Sequence, residues 1–147
     1  MHRRMLALLV AFVVTALLAG CADGSSDDRQ TDYRWSFSGP PEARQAFAEA
    51  LEEWNACGVV DGRLLPPGDE SGVKVFEGAP HGDAIAETTN AAHRPVSIVY
   101  KADPRLRYVF AHELGHALRG TGEHTKGGLM NERLLHEEQP VDCSWIE

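Results

Sequence analysis

His112 and His116 stand four residues apart, with Glu113 directly after the first, in the run His112-Glu113-Leu114-Gly115-His116. On an α-helix the two imidazoles then lie about 40° apart on one face, close enough to reach one tetrahedral cation. Glu113 falls about 60° from His116, where its carboxylate can sit beside a metal without taking a ligand position. Zinc suits such donors. It would lower the pKa of a coordinated water to about 7, and Glu113 would accept the proton and pass it to a leaving amine. A catalytic zinc needs a third protein ligand and one open position. His124 is the candidate, because Arg119-Gly120-Thr121-Gly122 ends the helix and its two glycines can take positive φ, turning the chain back toward the ion.

For this chemistry the segment must be helical. Asp103-Pro104 supplies N-cap and N1 residues, and Leu106, Phe110, Leu114, Ala117 and Leu118 recur with helical period up to Gly120, predicting a helix over about 103–119. Its apolar residues centre roughly 140° from the histidine stripe, so one face can be buried while the other lines a cleft. A second amphipathic helix is predicted over about 41–56, with Ala43, Phe47, Ala50, Leu51 and Trp54 on its apolar face, Pro41 near N1 and Gly58 beyond its end. Trp54 on that face reads as core rather than as a ligand platform. Tyr33, Trp35 and Phe37 alternate with Arg34 and Ser36, so a half-buried strand opens the domain at Asp32. Between Val59 and Tyr100, punctuation by Gly and Pro predicts strands at Val73–Phe76, Ala84–Thr88 and Val96–Tyr100 rather than helices. His81 and His93 fall in turns of this stretch and read as exposed. The fold class is α+β.

Residues 1–20 join a basic start, His2-Arg3-Arg4, to an apolar run from Met5 to Leu18, the pattern of an export signal. That run is too short for the roughly 20 residues a spanning helix needs. Leu18-Ala19-Gly20-Cys21 resembles the lipobox of bacterial lipoproteins, which implies lipidation of Cys21 and attachment to the bacterial cell envelope, at the cell surface or on the periplasmic face. Acyl chains contribute about 0.8 kcal/mol per buried CH₂, so more than one chain on Cys21 would anchor the domain stably. Residues 21–31, rich in Ser, Asp and Gly, read as a solvated tether, and residues 32–147 as one domain. Signal removal takes Arg3 and Arg4 from 14 basic residues and none of the 22 acidic ones, leaving a net charge of −10. Nucleic acid is therefore excluded as a partner, and substrates neutral or basic near the scissile bond are favoured. With Cys21 lipidated, Cys57 and Cys143 remain, and in an oxidising compartment they are expected to pair. Closing that loop would stabilise a small domain by about 4 kcal/mol on the chain-entropy account.

The helix motif resembles that of the metzincin clan of zinc peptidases, closest to the matrixin type: His-Glu-x-x-His-x-x-Gly-x-x-His, followed by a tight turn with a methionine beneath the metal. Gly127-Gly128-Leu129-Met130 is similar to that turn, and Met130 would be its methionine. Tyr33–Phe37 resembles the first strand of such domains and Ala46 to Trp54 the first helix. Ala84–Thr88 resembles the edge strand that binds an extended peptide, with Ala84, Ile85 and Ala86 as its substrate-facing residues. The resemblance implies a small twisted mixed sheet with an antiparallel edge strand, two main helices and a short C-terminal helix, here confined to Pro140–Glu147 and tied by Cys143 to Cys57. It implies one catalytic zinc, a peptide or protein substrate and a monomeric enzyme. The sequence departs from that pattern after the second histidine: His124 follows His116 by eight residues where the family has six, and Gly120 is one place late. Glu132 and His136 are the substitutes for the third ligand, ranked below His124.

Three functions fit these residues. The leading one is an endopeptidase that pairs an extended substrate with the edge strand. A zinc amidase acting on cell-wall peptide or a small amide would use the same metal and base in a different cleft. A non-catalytic zinc-binding lipoprotein is the third, and Glu113 argues against it, because a structural site has no use for a base beside the metal.

Overall fold

The computed structural model describes residues 32–131 and 139–147. The signal segment, the tether with Cys21, and the substitutes Glu132 and His136 lie outside the described residues. In chain order the elements are β1 (Asp32–Ser38), α1 (Pro41–Asn55), β2 (Asp61–Leu64), β3 (Val73–Glu77), β4 (Ala86–Ala91), β5 (Arg94–Tyr100) and α2 (Leu106–Arg119), then a single 3₁₀ turn at Cys143–Trp145. The expected α+β class is what the chain adopts. One five-stranded sheet has the order β2-β1-β3-β5-β4. Its first four strands run parallel, and β4 lies antiparallel to β5 at the edge.

Alternation in β1 buries Tyr33 and Trp35 and half-buries Phe37, while Arg34 points to solvent. Both helices pack through aromatic rings: Trp35 meets Phe47 of α1 at 5.6 Å between centroids, and Phe110 of α2 meets Phe47 at 5.3 Å and Tyr100 at 5.0 Å. Burying side chains of this size contributes about 1.5–3 kcal/mol each. Trp54, core as expected, also donates its indole N–H to the Ala111 carbonyl at 2.9 Å and so pins α2 to α1. Arg107 of α2 pairs with Glu53 of α1 at the same interface.

The elements differ from the sequence expectation in several places, with β3 running one residue further and β5 starting two residues earlier than expected. The second helix begins at Leu106, not 103, because the Asp103 carboxylate accepts from the Arg105 N–H (2.8 Å) and guanidinium (2.9 Å). That local turn makes Arg105 the N-cap. The edge strand is Ala86–Ala91 rather than 84–88, so Ala84 and Ile85 precede it. Ile85 still accepts from the Lys101 N–H at 2.9 Å. β2 was not anticipated: its four residues carry no apolar alternation, and it is held by Asn55, whose amide bonds both the N–H and the carbonyl of Gly62 at 2.8 Å.

The β4–β5 hairpin turns through Ala92 and His93, both at positive φ (50° and 62°). A tight turn of this hand suits strand twist but favours Asn and Gly. The helical C-terminus expected in 140–147 is the one 3₁₀ turn, and Cys143 within it is joined to Cys57 as expected, across 86 residues of chain. Two tests follow from these features. Ala92→Asn should raise stability by up to about 1 kcal/mol by relieving the left-handed backbone. Replacing Cys57 and Cys143 by Ala should lower it by about 4 kcal/mol. Urea titrations measure both, and a double variant as stable as the parent would contradict the second.

Candidate metal centre

Every residue from Val109 to Ala117 is buried, because α2 is covered by the core on one side and by the cleft and the following loop on the other. His112, Glu113 and His116 are 5%, 8% and 6% exposed, which leaves the chain's own groups to satisfy most of their polar atoms. The Nδ1 of His112 lies 2.7 Å from the Leu129 carbonyl, and that of His116 lies 3.0 Å from the Thr121 carbonyl. A carbonyl can only accept, so both Nδ1 atoms carry hydrogen and both neutral rings leave a bare lone pair at Nε2. Those two Nε2 atoms stand 3.0 Å apart, and the Nε2 of His124 is 3.2 Å from that of His116. Lone pairs facing at 3.0 Å repel unless a proton or a cation lies between them. The ligand atoms of His112, His116 and His124 all lie within 4.8 Å of one another, a group that could hold a metal ion.

The loop after α2 brings the third histidine in. Gly120 takes φ 71° as the C-cap, with its N–H on the His116 carbonyl at 2.9 Å. A Cβ there would also strike the backbone of His93. Gly120 is the one of the two loop glycines that uses positive φ; Gly122 does not. The turn at Gly127-Gly128-Leu129-Met130 closes through Thr125 N–H on the Met130 carbonyl (2.9 Å), with Gly128 at φ 74°. This turn supplies the Leu129 carbonyl that orients His112. Met130 is buried under α2, its thioether against the position a Cβ of Gly115 would occupy, so any larger residue there would displace it.

Beside the histidines lies a cleft of about 610 Å³ whose walls include Ala84–Thr88, Arg105, Val109 and Asn90. Ala84 and Ile85, though outside β4, line it together with Ala86. Thr88 of β4 places its hydroxyl 2.6 Å from Glu113 Oε2 and 3.0 Å from the Glu113 carbonyl oxygen. Asn90 donates to the His116 carbonyl at 3.4 Å. Neither residue was singled out in sequence, where a Thr and an Asn in a strand carry no distinguishing signal. His81, exposed as expected, is paired with Glu87 at 2.6 Å and is not in the histidine group; His93 contacts the Gly120 carbonyl at 3.3 Å.

Burial sets the protonation states. Desolvation pushes the Glu113 carboxyl up to about 7 against the opposing bonds from Thr88. It also lowers His112, and lowers His116 to about 4, with the neighbouring His112 adding to the second shift. Neutral imidazole is the form that ligates a metal. No family model and no curated protein matches the chain.

The signs of these shifts can be tested on protein stripped of metal by a chelator. His116 titrates at about 4 when folded against an ordinary 6.5, so the unfolded chain binds a proton that the folded one refuses, and stability falls as pH drops from 6.5 to 4. Glu113 acts oppositely: its folded carboxyl keeps a proton up to about 7 that the unfolded chain sheds above 4.5, adding stability as pH falls through that window. Glu113→Gln deletes only the second contribution. Its melting temperature should therefore drop more steeply than the parent's between pH 7 and 4.5, and parallel curves would refute the burial account of Glu113.

Proposed function

We propose that this domain is a zinc-dependent endopeptidase of metzincin type, in which His112, His116 and His124 hold the ion and Glu113 is the general base. The observation that carries the reading is the convergence of three Nε2 atoms, two of them freed of hydrogen by carbonyl bonds at Nδ1, beside a buried carboxylate in an open cleft. Imidazoles on a tetrahedral zinc, at about 2.0–2.1 Å each, stand roughly 3.4 Å apart. The spacings of 3.0 and 3.2 Å are close to that, and an all-nitrogen donor set suits the ion. The two extra residues between His116 and His124 are absorbed in the exposed loop, so the longer spacing is compatible with the metzincin arrangement. Met130, buried against the motif helix, matches the methionine of that family's turn.

Bound there, zinc supplies a Lewis acid that makes water nucleophilic near neutral pH. The chain's own groups do the rest. The outer edge of β4 has no partner strand among the described residues, and an extended peptide can pair with it by main-chain hydrogen bonds. Glu113 takes one proton from the attacking water as the new C–O bond forms at the carbonyl carbon. It then delivers that proton to the amide nitrogen as the C–N bond breaks, leaving a carboxylic acid and an amine. A carboxylate held beside the cleft by the Thr88 hydroxyl is placed to accept that proton and return it. The setting proposed for this activity is the bacterial cell envelope, with a monomeric domain tethered through lipidated Cys21.

The test pairs zinc content with turnover of a mixed peptide library. Glu113→Gln should bind zinc stoichiometrically while its turnover falls by at least about a hundredfold. His124→Ala should weaken zinc retention. A Gln variant that cleaves at the parent's rate would remove the base assignment, and a parent that cleaves cell-wall amides but no peptides would redirect the reading to an amidase.

A further inference from the structure

Thr88 sits on the cleft-facing side of β4, with one hydroxyl hydrogen confronting two oxygens of the same glutamate: Oε2 at 2.6 Å and the main-chain carbonyl at 3.0 Å. The shorter contact is in the range of a charge-assisted O–H···O⁻ bond, so the ionised carboxylate wins the hydrogen. With Oε2 tied down, the other carboxylate oxygen makes no hydrogen bond among the described residues and belongs to a side chain that lines the cleft. The carboxylate is thus held by one oxygen and open at the other. Two residues along the strand, Asn90 bonds the His116 carbonyl, so the edge strand is fastened to α2 at the general base and again at the next motif histidine.

We infer that Thr88 is a positioning residue for the hydrolysis: its hydroxyl fixes the rotation of the Glu113 carboxylate so that the free oxygen faces the attacking water. A carboxylate without this tether can turn about its terminal bond, whose torsional preference is broad. Misplacement of a catalytic group by about 1 Å costs on the order of a hundredfold in rate. Because Thr88 lies on the strand that a peptide would pair with, the residue that aims the base belongs to the surface that receives the substrate. The inference rests on the hydrolase reading, and its test is built to fail separately from it.

The variants are Thr88→Val, which keeps the shape without the hydroxyl, and Thr88→Ser, which keeps the hydroxyl. Thr88→Ala serves as partner to Ser if Val disturbs the strand. In zinc-loaded protein, Val should lower kcat by about tenfold to a hundredfold with KM and zinc affinity within about twofold, and Ser should restore most of kcat. The second readout needs no turnover: affinity for acetohydroxamate, a small chelator that shares a proton with a carboxylate beside the metal, should fall by about tenfold in Val and recover in Ser. A parent that binds zinc but cleaves nothing sinks the peptidase reading alone, and the hydroxamate series still decides the role of Thr88. Equal hydroxamate affinity in parent and Val, or loss of zinc along with the hydroxyl, overturns the inference. So does a parent that takes up no zinc.

Discussion

The Nδ1–H groups of His112 and His116 each end on a main-chain carbonyl, of Leu129 and Thr121, and this fixes which nitrogen of each ring is left bare. Once that choice is made, two lone pairs face each other at 3.0 Å in a buried site, with water largely excluded. A positive charge between neutral rings in this arrangement would relieve the repulsion, and the three-histidine group could hold a metal ion. Protonation is a poor alternative, because burial has already moved both rings toward neutrality. The loop that follows α2 supplies both orienting carbonyls and the third imidazole, so a single stretch of chain sets the tautomers and completes the group.

The helix must not rotate if that geometry is to last, and its carbonyls are tied accordingly. A main-chain oxygen has two lone pairs, one of which serves the helical ladder. The second is taken at three positions of α2: Trp54 donates to Ala111, Trp145 to Gly115 and Asn90 to His116. These donors come from α1, from the edge strand and from the C-terminal segment, so the helix is fixed from three directions. Gly115 lets Met130 close against it from the loop side.

The motif helix was legible because its signals agree: an apolar period, a glycine stop and histidines one turn apart all demand the same element. Its first turn was not. Asp103 and Pro104 carry the residue types of a helix start, yet the Asp103 carboxylate is engaged by Arg105 in a turn of its own, a competition between side chain and ladder that composition does not resolve. β2 was missed because Asp61–Leu64 is too short to alternate, and its place is fixed by Asn55 of α1. The edge strand starts two residues and ends three residues later than expected, because Ala84 and Ile85 look strand-like and are strand-adjacent, while the tight turn at Ala92 and His93 has no Asn-Gly signature to announce it. His124 could be proposed from the glycines before it. Thr88 could not, because its role depends on a contact 25 residues away in the chain.

Cys143 lies two residues before Trp145, whose indole holds the Gly115 carbonyl and whose ring carries the Arg119 guanidinium at 4.4 Å. The covalent link to Cys57 fastens this clamp to the chain just beyond α1. Where the two sulfurs are reduced they separate, and the C-terminal segment is held without a covalent tie, by the polar contacts of Trp145 and the packing of Val141, Trp145 and Ile146. The disulfide thus bears on how firmly α2 is held, although neither sulfur lies among the three histidines.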